Sequence, residues 1–324
     1  MNKTDATGAR APSAMREAPS PLSETERRSR MKRLKALVKE MLAGLVVTSG
    51  LAWTTRKLLW RDRVAVLLYH DPDPETLDRH LTYLAKLCEF VPLTDVSAPG
   101  RGRPRVAITL DDGHAGNAKL LPVFVKHKVR PTIFLCSRIV GQPRSHWWLH
   151  PGSLRVGHER LKRMSNEERL AALAAQGYRQ DGDDRPTGLS IGEMQAMREQ
   201  IDFQAHTRFH PILTHCSAAE SEAEITDSRH EIAALLQQPC EHFAYPNGNY
   251  GDREVEFVRA AGFKSARTCD IGWNDQHTDP YRLRTIIIDD AASTLRFAAQ
   301  LSGIALFLRY AREGGGWRGK FPQF

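Results

Sequence analysis

The stretch Val106-Ala-Ile-Thr-Leu-Asp-Asp-Gly113 joins a mainly apolar run of five residues to two adjacent carboxylates and a glycine. Such a run is typical of a strand that is buried on both faces, as in a parallel sheet. Neighbouring residues at a strand end point in different directions, so one Asp could bind a metal while the other faces the water beside it. An Asp-Asp-Gly turn that caps the next helix would look the same, so this pair alone leaves both interpretations open.

Similar short runs lie on both sides of this stretch, separated by segments of helical periodicity. The predicted strands are Val64–Tyr69, Val106–Leu110, Thr132–Leu135, Ile201–Phe203, Phe243–Tyr245 and Thr285–Ile288. The predicted helices include Pro74–Cys88, Asn117–Lys126, Ser217–Leu236 and Glu254–Ala261. This alternation predicts a parallel sheet, open or closed into a barrel, whose chemistry gathers at the carboxyl ends of the strands.

Two further polar clusters follow predicted strands. Ala205-His-Thr-Arg-Phe-His210 places two imidazoles four residues apart, a spacing that can bring both to one metal ion. Phe243-Ala-Tyr-Pro-Asn-Gly248 ends a strand at a tight turn, whose backbone N–H groups could face a developing oxyanion, although any tight turn offers the same groups. One Asp and the two His would leave open positions on a catalytic zinc, and the second Asp would supply the base.

The charge of the chain is concentrated at its N-terminus. Of 46 Lys and Arg against 38 Asp and Glu, residues 1–63 hold 14 and 6, so the net charge of +8 lies there and the remainder is neutral. A nucleic-acid-binding enzyme should carry its positive charge on the working face, so we expect no nucleic-acid partner. The five cysteines are scattered without a C-x-x-C pair, which indicates neither a disulfide framework nor a thiolate zinc site.

The N-terminal region divides into two predicted parts. Residues 1–30 have few large apolar groups and are predicted to be disordered. Residues 31–63 are predicted to form a basic amphipathic helical arm, whose apolar run Met41–Trp53 is shorter than the ~20 residues of a spanning helix. The arm could pack on the domain or lie on an anionic membrane surface, which places the protein in the cytoplasm or at a membrane periphery.

Taken together, the motifs identify a resemblance to the polysaccharide deacetylase family, the carbohydrate esterases with a NodB-type domain. The matching stretches are Leu67–His70, Ile108–Gly113, Pro131–Leu135, His206–Pro211, Tyr245–Gly248 and Ala261–Phe263, in the order found in the family. The resemblance implies an α/β fold, a distorted (β/α)7-type barrel over residues 64–290, with an insertion at 153–187 and a C-terminal helix and tail at 291–324. It also implies that an acetyl group is hydrolysed from a sugar of an acetylated amino-sugar glycan.

The resemblance assigns roles to residues by motif. Asp111 would be the catalytic base, Asp112, His206 and His210 would bind zinc or another divalent transition metal such as cobalt or nickel, and the N–H groups near Tyr245 would hold the oxyanion. The remaining predicted substrate-binding residues are His70, Pro246, Asn247, Gly248 and Arg284. The insertion and Trp147-Trp148 are expected to shape access for an extended glycan.

Two departures from the family pattern concern these roles. The family places an Arg two residues before the Pro of the third motif to orient the catalytic Asp, and position 244 here is Ala. A late Leu-x-His is also absent, since Thr285–Ile288 is followed by Asp289 and Asp290. Arg282 or Arg284 could replace the Arg and His70 the late His. An O-acetyl esterase or other amidohydrolase on the same site, and a degenerate carbohydrate-binding relative, remain alternatives.

Overall fold

The computed structural model describes residues 24–60, 62–100 and 102–303. The chain divides into two units, residues 1–41 and 42–324. Of the first unit the structure describes only residues 24–41, which belong to helix α1. The described helices are α1 Glu24–Thr48, α2 Leu51–Leu59, α3 Pro74–Ala85, α4 Leu121–His127, α5 Pro151–Val156, α6 His158–Leu161, α7 Asn166–Ala174, α8 Ile191–Met197, α9 Ala218–Leu236, α10 Asp252–Ala260 and α11 Thr294–Leu301. The described strands are β1 Val64–Tyr69, β2 Glu89–Phe90, β3 Arg105–Leu110, β4 Thr132–Leu135, β5 Asp202–Ala205, β6 His242–Ala244, β7 Ser265–Ile271 and β8 Leu283–Ile287.

Seven of these strands close into a parallel barrel. The ring runs β1-β3-β4-β5-β6-β7-β8 and returns to β1, where Leu67 and Leu68 pair with Ile286 and Ile287. The short β2 adds to the first two residues of β3 and stays outside the ring. The predicted (β/α)7-type barrel is therefore confirmed, and the carboxyl ends of all seven strands meet at one mouth.

Side-chain alternation divides the barrel into an interior and an outer layer. The interior apolar cluster is formed by every second residue of the strands, which include Val64, Val66, Ala107, Phe134, Ala244 and Leu283. The other parity packs outward against the helices, and includes Ala65, Leu67, Ile133, Phe243, Ala266 and Ile286. Because successive residues of a strand face opposite sides, Asp111 and Arg267 point into the barrel whereas Arg284 points out of it.

Local sequence signals explain several helix starts. Helices α7, α8 and α9 each begin after a Ser whose side chain accepts from the backbone three residues on, where a Glu reaches back to the Ser N–H. This capping box satisfies two backbone donors that the first turn of a helix leaves open. Helices α6 and α7 of the insertion are separate, because α6 ends at Leu161 and α7 starts only after the cap at Ser165.

Other boundaries differ from the sequence predictions. Helix α1 begins at Glu24, inside the segment predicted to be disordered, while residues 1–23 lie outside the described residues. Helix α11 falls within the predicted C-terminal segment, whose residues 304–324 also lie outside them. The strand β7 was not predicted, because Ser265–Ile271 carries Arg, Thr, Cys and Asp among its apolar residues. Within the described residues, no helix has the length and apolarity to cross a membrane.

Candidate metal centre and active site

The two adjacent aspartates diverge because the chain turns sharply where β3 ends. The N–H of Asp111 still donates to Tyr69 O at 3.0 Å, which continues the pairing with β1. Asp112 and Gly113 then both adopt left-handed backbone, with φ of 73° and 66°. A Cβ on Gly113 would lie 2.5 Å from the Leu135 side chain. The turn therefore needs glycine after an Asp that tolerates a positive φ, and it aims the two carboxylates at different neighbours.

The two histidines lie on the loop that follows β5. His206 extends the strand pairing by donating its N–H to Leu135 O at 2.9 Å. The next residues turn back, and His210 has a φ of 56°. Glu224 of α9 holds this turn, because its Oε2 accepts the N–H groups of Arg208 at 2.8 Å and Phe209 at 3.0 Å. Burial raises the pKa of Glu224 to about 7, although the two backbone hydrogen bonds favour its ionised form and oppose this rise.

Three side-chain atoms converge at the mouth of the barrel. Asp112 Oδ1 lies 3.5 Å from His206 Nε2 and 3.4 Å from His210 Nε2. Ligands bound at about 2.0–2.1 Å to a tetrahedral zinc would lie about 3.3 Å apart, so these distances fit such an ion. Asp112 Oδ1 and His206 Nε2 are buried and have no hydrogen-bond partner in the described structure. A metal ion would satisfy both atoms, and the chemistry of the donor set suits it.

Hydrogen bonds and burial favour the tautomer and the protonation states in which Asp112, His206 and His210 can bind a metal. His206 Nδ1 lies 2.7 Å from Ala244 O, and because a carbonyl can only accept, Nδ1 carries the proton and leaves the Nε2 lone pair free. Burial lowers the pKa of His210 well below its usual value, which keeps this imidazole neutral. Burial opposes ionisation of Asp112, but the surrounding imidazoles, including a hydrogen bond from His114, hold its pKa well below the usual range.

Asp111 is held by a cation that the sequence analysis did not identify. Its Oδ2 accepts a hydrogen bond from Arg267 Nη2 in a fully buried ion pair. Its Oδ1 is also buried and has no hydrogen-bond partner among the described residues. The same Oδ2 lies 3.7 Å from His206 Nε2, which places the carboxylate beside the triad. Asp111 therefore keeps one oriented oxygen available next to the metal position.

Arg267 fills the role for which the sequence suggested Arg282 or Arg284. Arg267 is paired in the β6–β7 register with Ala244, where the family has its Arg, so the guanidinium comes from the neighbouring strand. Arg282 instead forms ion pairs with Asp252 and Asp279. Arg284 has the outward parity on β8, which argues against its predicted contact with substrate. An Arg at an inward-facing position of a strand could have identified this residue from the sequence. That reasoning was not possible because β7 was not recognised as a strand.

The other predicted substrate residues lie at the same mouth of the barrel. His70 directly follows β1, and its N–H donates to Asp290 Oδ1 at 3.2 Å. Asp290 also accepts the Asp71 N–H at 2.8 Å, so the carboxylate found near the position of the absent late His joins the ends of β8 and β1. Pro246, Asn247 and Gly248 form a single turn after β6.

The predicted oxyanion donor is partly engaged in the sheet. The N–H of Tyr245 donates to Arg267 O at 3.1 Å, and the Tyr245 ring is buried and stacked on Tyr250. A Cβ on Gly248 would lie 2.4 Å from the Cys269 Cβ, so the turn packs tightly on β7. Holding an oxyanion would require Tyr245 to share this N–H, and the role stays a prediction.

Further side chains that sequence analysis did not assign surround the triad. His114 Nε2 lies 3.1 Å from Asp112 Oδ2, the oxygen that does not face the other two histidines. Burial lowers the pKa of His114, but the hydrogen bond to Asp112 outweighs it and leaves the pKa raised. His146 is fully buried, and burial and the nearby His114 lower its pKa to about 4. These imidazoles form a wall of the site beside Trp148, whose ring centroid lies 4.8 Å from that of His146.

Comparison with solved structures supports the same fold. Streptococcus pyogenes deacetylase PplD, solved in complex with acetate, matches with a TM-score of 0.55 and 18% identity over 74% of this chain and 98% of that chain. IcaB from Ammonifex degensii matches with a TM-score of 0.53 and 16% identity, over 75% and 99% of the two chains. A putative polysaccharide deacetylase from Bacillus anthracis gives 0.52 and 16%, over 74% and 69%. At these identities the similarity concerns the fold.

The sequence itself carries the family relationship. No curated protein matches the chain significantly. Residues 99–266, which are more than half of the chain, match the polysaccharide deacetylase family. This region contains β3 to β6 and with them both aspartates and both histidines of the site. The closed parallel barrel, the site at its mouth and this match agree, and the chain belongs to the polysaccharide deacetylase family.

Proposed function

We propose that this protein is a metal-dependent deacetylase that removes acetyl groups from N-acetylated sugars of a polysaccharide or a lipid-linked glycan. One observation carries the proposal. A three-atom ligand set with separations near 3.5 Å lies beside a buried carboxylate whose Oδ1 has no partner in the described structure. Metal-assisted amide hydrolysis needs a metal position and a nearby base, and this arrangement offers both.

Each residue of the site has a defined task in this proposal. Asp112, His206 and His210 would hold the ion, with zinc, cobalt and nickel all compatible with one carboxylate and two imidazoles. When bound, such an ion polarises the acetyl carbonyl and lowers the pKa of water. Asp111 would act as the base, with Oδ1 accepting the proton that the attacking water loses.

Other residues of the site would hold these groups in orientation and line the substrate position. Arg267 fixes the orientation of Asp111 through its other oxygen, Oδ2. Ala244 O fixes the ring of His206. His70 and the turn of Pro246, Asn247 and Gly248 lie at the same mouth, where we propose that they line the substrate position, and a Tyr245 N–H that is shared with Arg267 O would contribute to holding the oxyanion.

A substrate screen tests the proposal. The purified full-length protein, reconstituted with zinc or cobalt, is incubated with N-acetylglucosamine oligomers, lipid-linked acetamido sugars and acetylated xylan, and both acetate and free amine are measured. We expect acetate and amine in equal amounts from an acetamido sugar, and no release after the metal is removed by chelation. Acetate without amine, from xylan, would indicate an O-acetyl esterase, and binding without acetate release would indicate a degenerate carbohydrate-binding protein.

We also propose that the N-terminal helix binds an anionic membrane surface. Large apolar side chains that recur along α1 at helical spacing are roughly half exposed or more: Met31, Leu34, Leu37, Val38, Met41, Leu42 and Leu45. The basic residues Lys32, Arg33, Lys35 and Lys39 are interleaved with them in the sequence. Apolar residues that enter a lipid interface beside cations that attract anionic headgroups are typical of interfacial helices.

Charge neutralisation in the full chain tests this attachment. Each basic residue near an anionic surface contributes about 1 kcal/mol, so the triple variant K32Q/K35Q/K39Q should bind phosphatidylserine vesicles about 100-fold more weakly in a sedimentation assay. The control K86Q/K119Q/K264Q removes the same charge from the barrel unit and should bind like the wild type. Equal binding by both variants would contradict the proposal. Truncation before residue 64 is unsuitable, because Trp60 is fully buried and donates to Arg105 O.

A further inference from the structure

Two of the three candidate metal ligands have unfavourable backbone conformations. Asp112 and His210 have φ values of 73° and 56°, in the left-handed region that residues with a Cβ rarely occupy. Such a conformation is less stable than the right-handed one for a residue with a Cβ, and it persists only where the surrounding structure over-determines it. The direction of each ligand side chain depends on this conformation, so whatever fixes the backbone also fixes the metal geometry.

Two consecutive residues that precede the insertion, His146 and Trp147, contact these two backbones. His146 Nε2 lies 3.2 Å from Asp112 O, and because the carbonyl can only accept, the imidazole is the donor. The other ring nitrogen, Nδ1, lies 2.7 Å from Thr187 Oγ1, whose hydroxyl can donate to it. Trp147 Nε1 donates to His210 O at 3.1 Å. Each strained ligand residue therefore has its carbonyl held by one residue of the same dipeptide.

The dipeptide is itself rigidly supported. His146 is fully buried and Trp147 is 3% exposed. Trp147 packs with Leu161, Leu173 and Tyr178 in a small core that belongs to the insertion. The Arg169 guanidinium lies over the Trp147 ring at 4.8 Å, and its Nη1 is 3.5 Å from the same His210 carbonyl. The packed interior of the insertion thus supports the preceding dipeptide, whose two donors hold the carbonyls of Asp112 and His210.

We infer that His146 and Trp147 are positioning residues that hold Asp112 and His210 in metal-binding geometry before the metal arrives. The inference rests on the proposed metal site and deepens it. It assigns to the dipeptide that precedes the insertion a part in building the site, whereas the sequence analysis expected Trp147, together with Trp148 and the insertion, to shape access for the substrate. Groups that orient metal ligands in other proteins typically contribute 10–100-fold to metal affinity, and we expect about the same here.

Zinc affinity, measured by competition with a chelator, tests the inference without relying on activity. Trp147→Phe keeps an aromatic ring but removes the donor to His210 O, and it should weaken zinc binding by about 10–100-fold. The matched control is Trp60→Phe, which removes an equally buried indole donor to Arg105 O. The control should lower the melting temperature to a similar extent and leave the zinc affinity unchanged.

A second pair of variants addresses His146 and guards against misfolding. His146→Phe removes the donor to Asp112 O and should weaken zinc binding, whereas His146→Gln can place an amide N–H near the former Nε2 and should retain most of the affinity. At saturating zinc, Trp147→Phe should lower kcat more than it raises KM. The reason is that the metal ligands are displaced, whereas the residues that line the substrate position are unchanged.

The outcomes separate this inference from the proposed function. If the wild type binds no zinc, the proposed function fails. If the wild type binds zinc and Trp147→Phe binds it equally well, the inference is overturned while the proposed function stands. A rise in KM with unchanged kcat and zinc affinity would likewise overturn it, because this result would mean that Trp147 only shapes access.

Discussion

Replacing Asp111 with Asn is expected to leave the metal in the protein while turnover falls by about 10²–10⁴-fold, the usual contribution of a positioned general base. Asn is nearly isosteric, and its amide oxygen can still accept from Arg267. The three ligand atoms on Asp112, His206 and His210 are unchanged. An amide cannot take the proton that the attacking water must lose, so only the chemical step should suffer.

Asp112→Ala is the matched counterpart, because it changes the adjacent carboxylate. It removes the only negatively charged ligand of the three, and the two remaining imidazoles should hold metal far more weakly. Metal and activity should therefore disappear together. Metal content by atomic emission and acetate release, measured on both variants, decide the assignment. Loss of metal from Asp111→Asn with retention in Asp112→Ala would reverse the two roles, and unchanged acetate release in both would refute the mechanism.

Arg267→Ala should have the second large effect, on both stability and activity. Removing one partner of a buried ion pair typically costs about 3–5 kcal/mol, because the other charge is left uncompensated. Without the guanidinium, Asp111 Oδ2 loses its hydrogen-bond donor, and the buried carboxylate is no longer oriented beside the ligand atoms. The value of kcat/KM should therefore fall, by up to the roughly 10²–10⁴-fold contribution of a positioned general base. Thermal melts and kcat/KM measure the two effects.

Moving the arginine to the neighbouring strand provides the control. Ala244 and Arg267 are partners in the β6–β7 register and both face the interior, so the exchange A244R/R267A conserves volume and charge. This variant should regain much of the activity, because a guanidinium can again reach Asp111. If the single variant is folded and as active as the wild type, Arg267 has no role in orienting the base. If the exchange folds but restores nothing, the two positions are not equivalent.

The sequence determined the local features of this protein. Apolar runs such as Val64–Tyr69 and Thr132–Leu135 predicted β1 and β4 with their observed bounds, because a strand buried on both faces is typically apolar along most of its length. The grouping of Asp112, His206 and His210 also follows from the sequence alone, since polar residues that follow parallel strands meet at one end of the barrel.

Only the tertiary structure decided which residues surround those motifs. Arg267 lies 156 positions from Asp111 in the chain, on a strand whose polar residues hid its periodicity, and closure of the barrel brings the two together. The sequence assigned no role to His146 and expected Trp147 only to shape substrate access, and their donors contact Asp112 and His210 only in the folded chain. Local patterns report burial and strand ends, whereas partners across a closed barrel depend on register and side-chain parity, which are properties of the whole sheet.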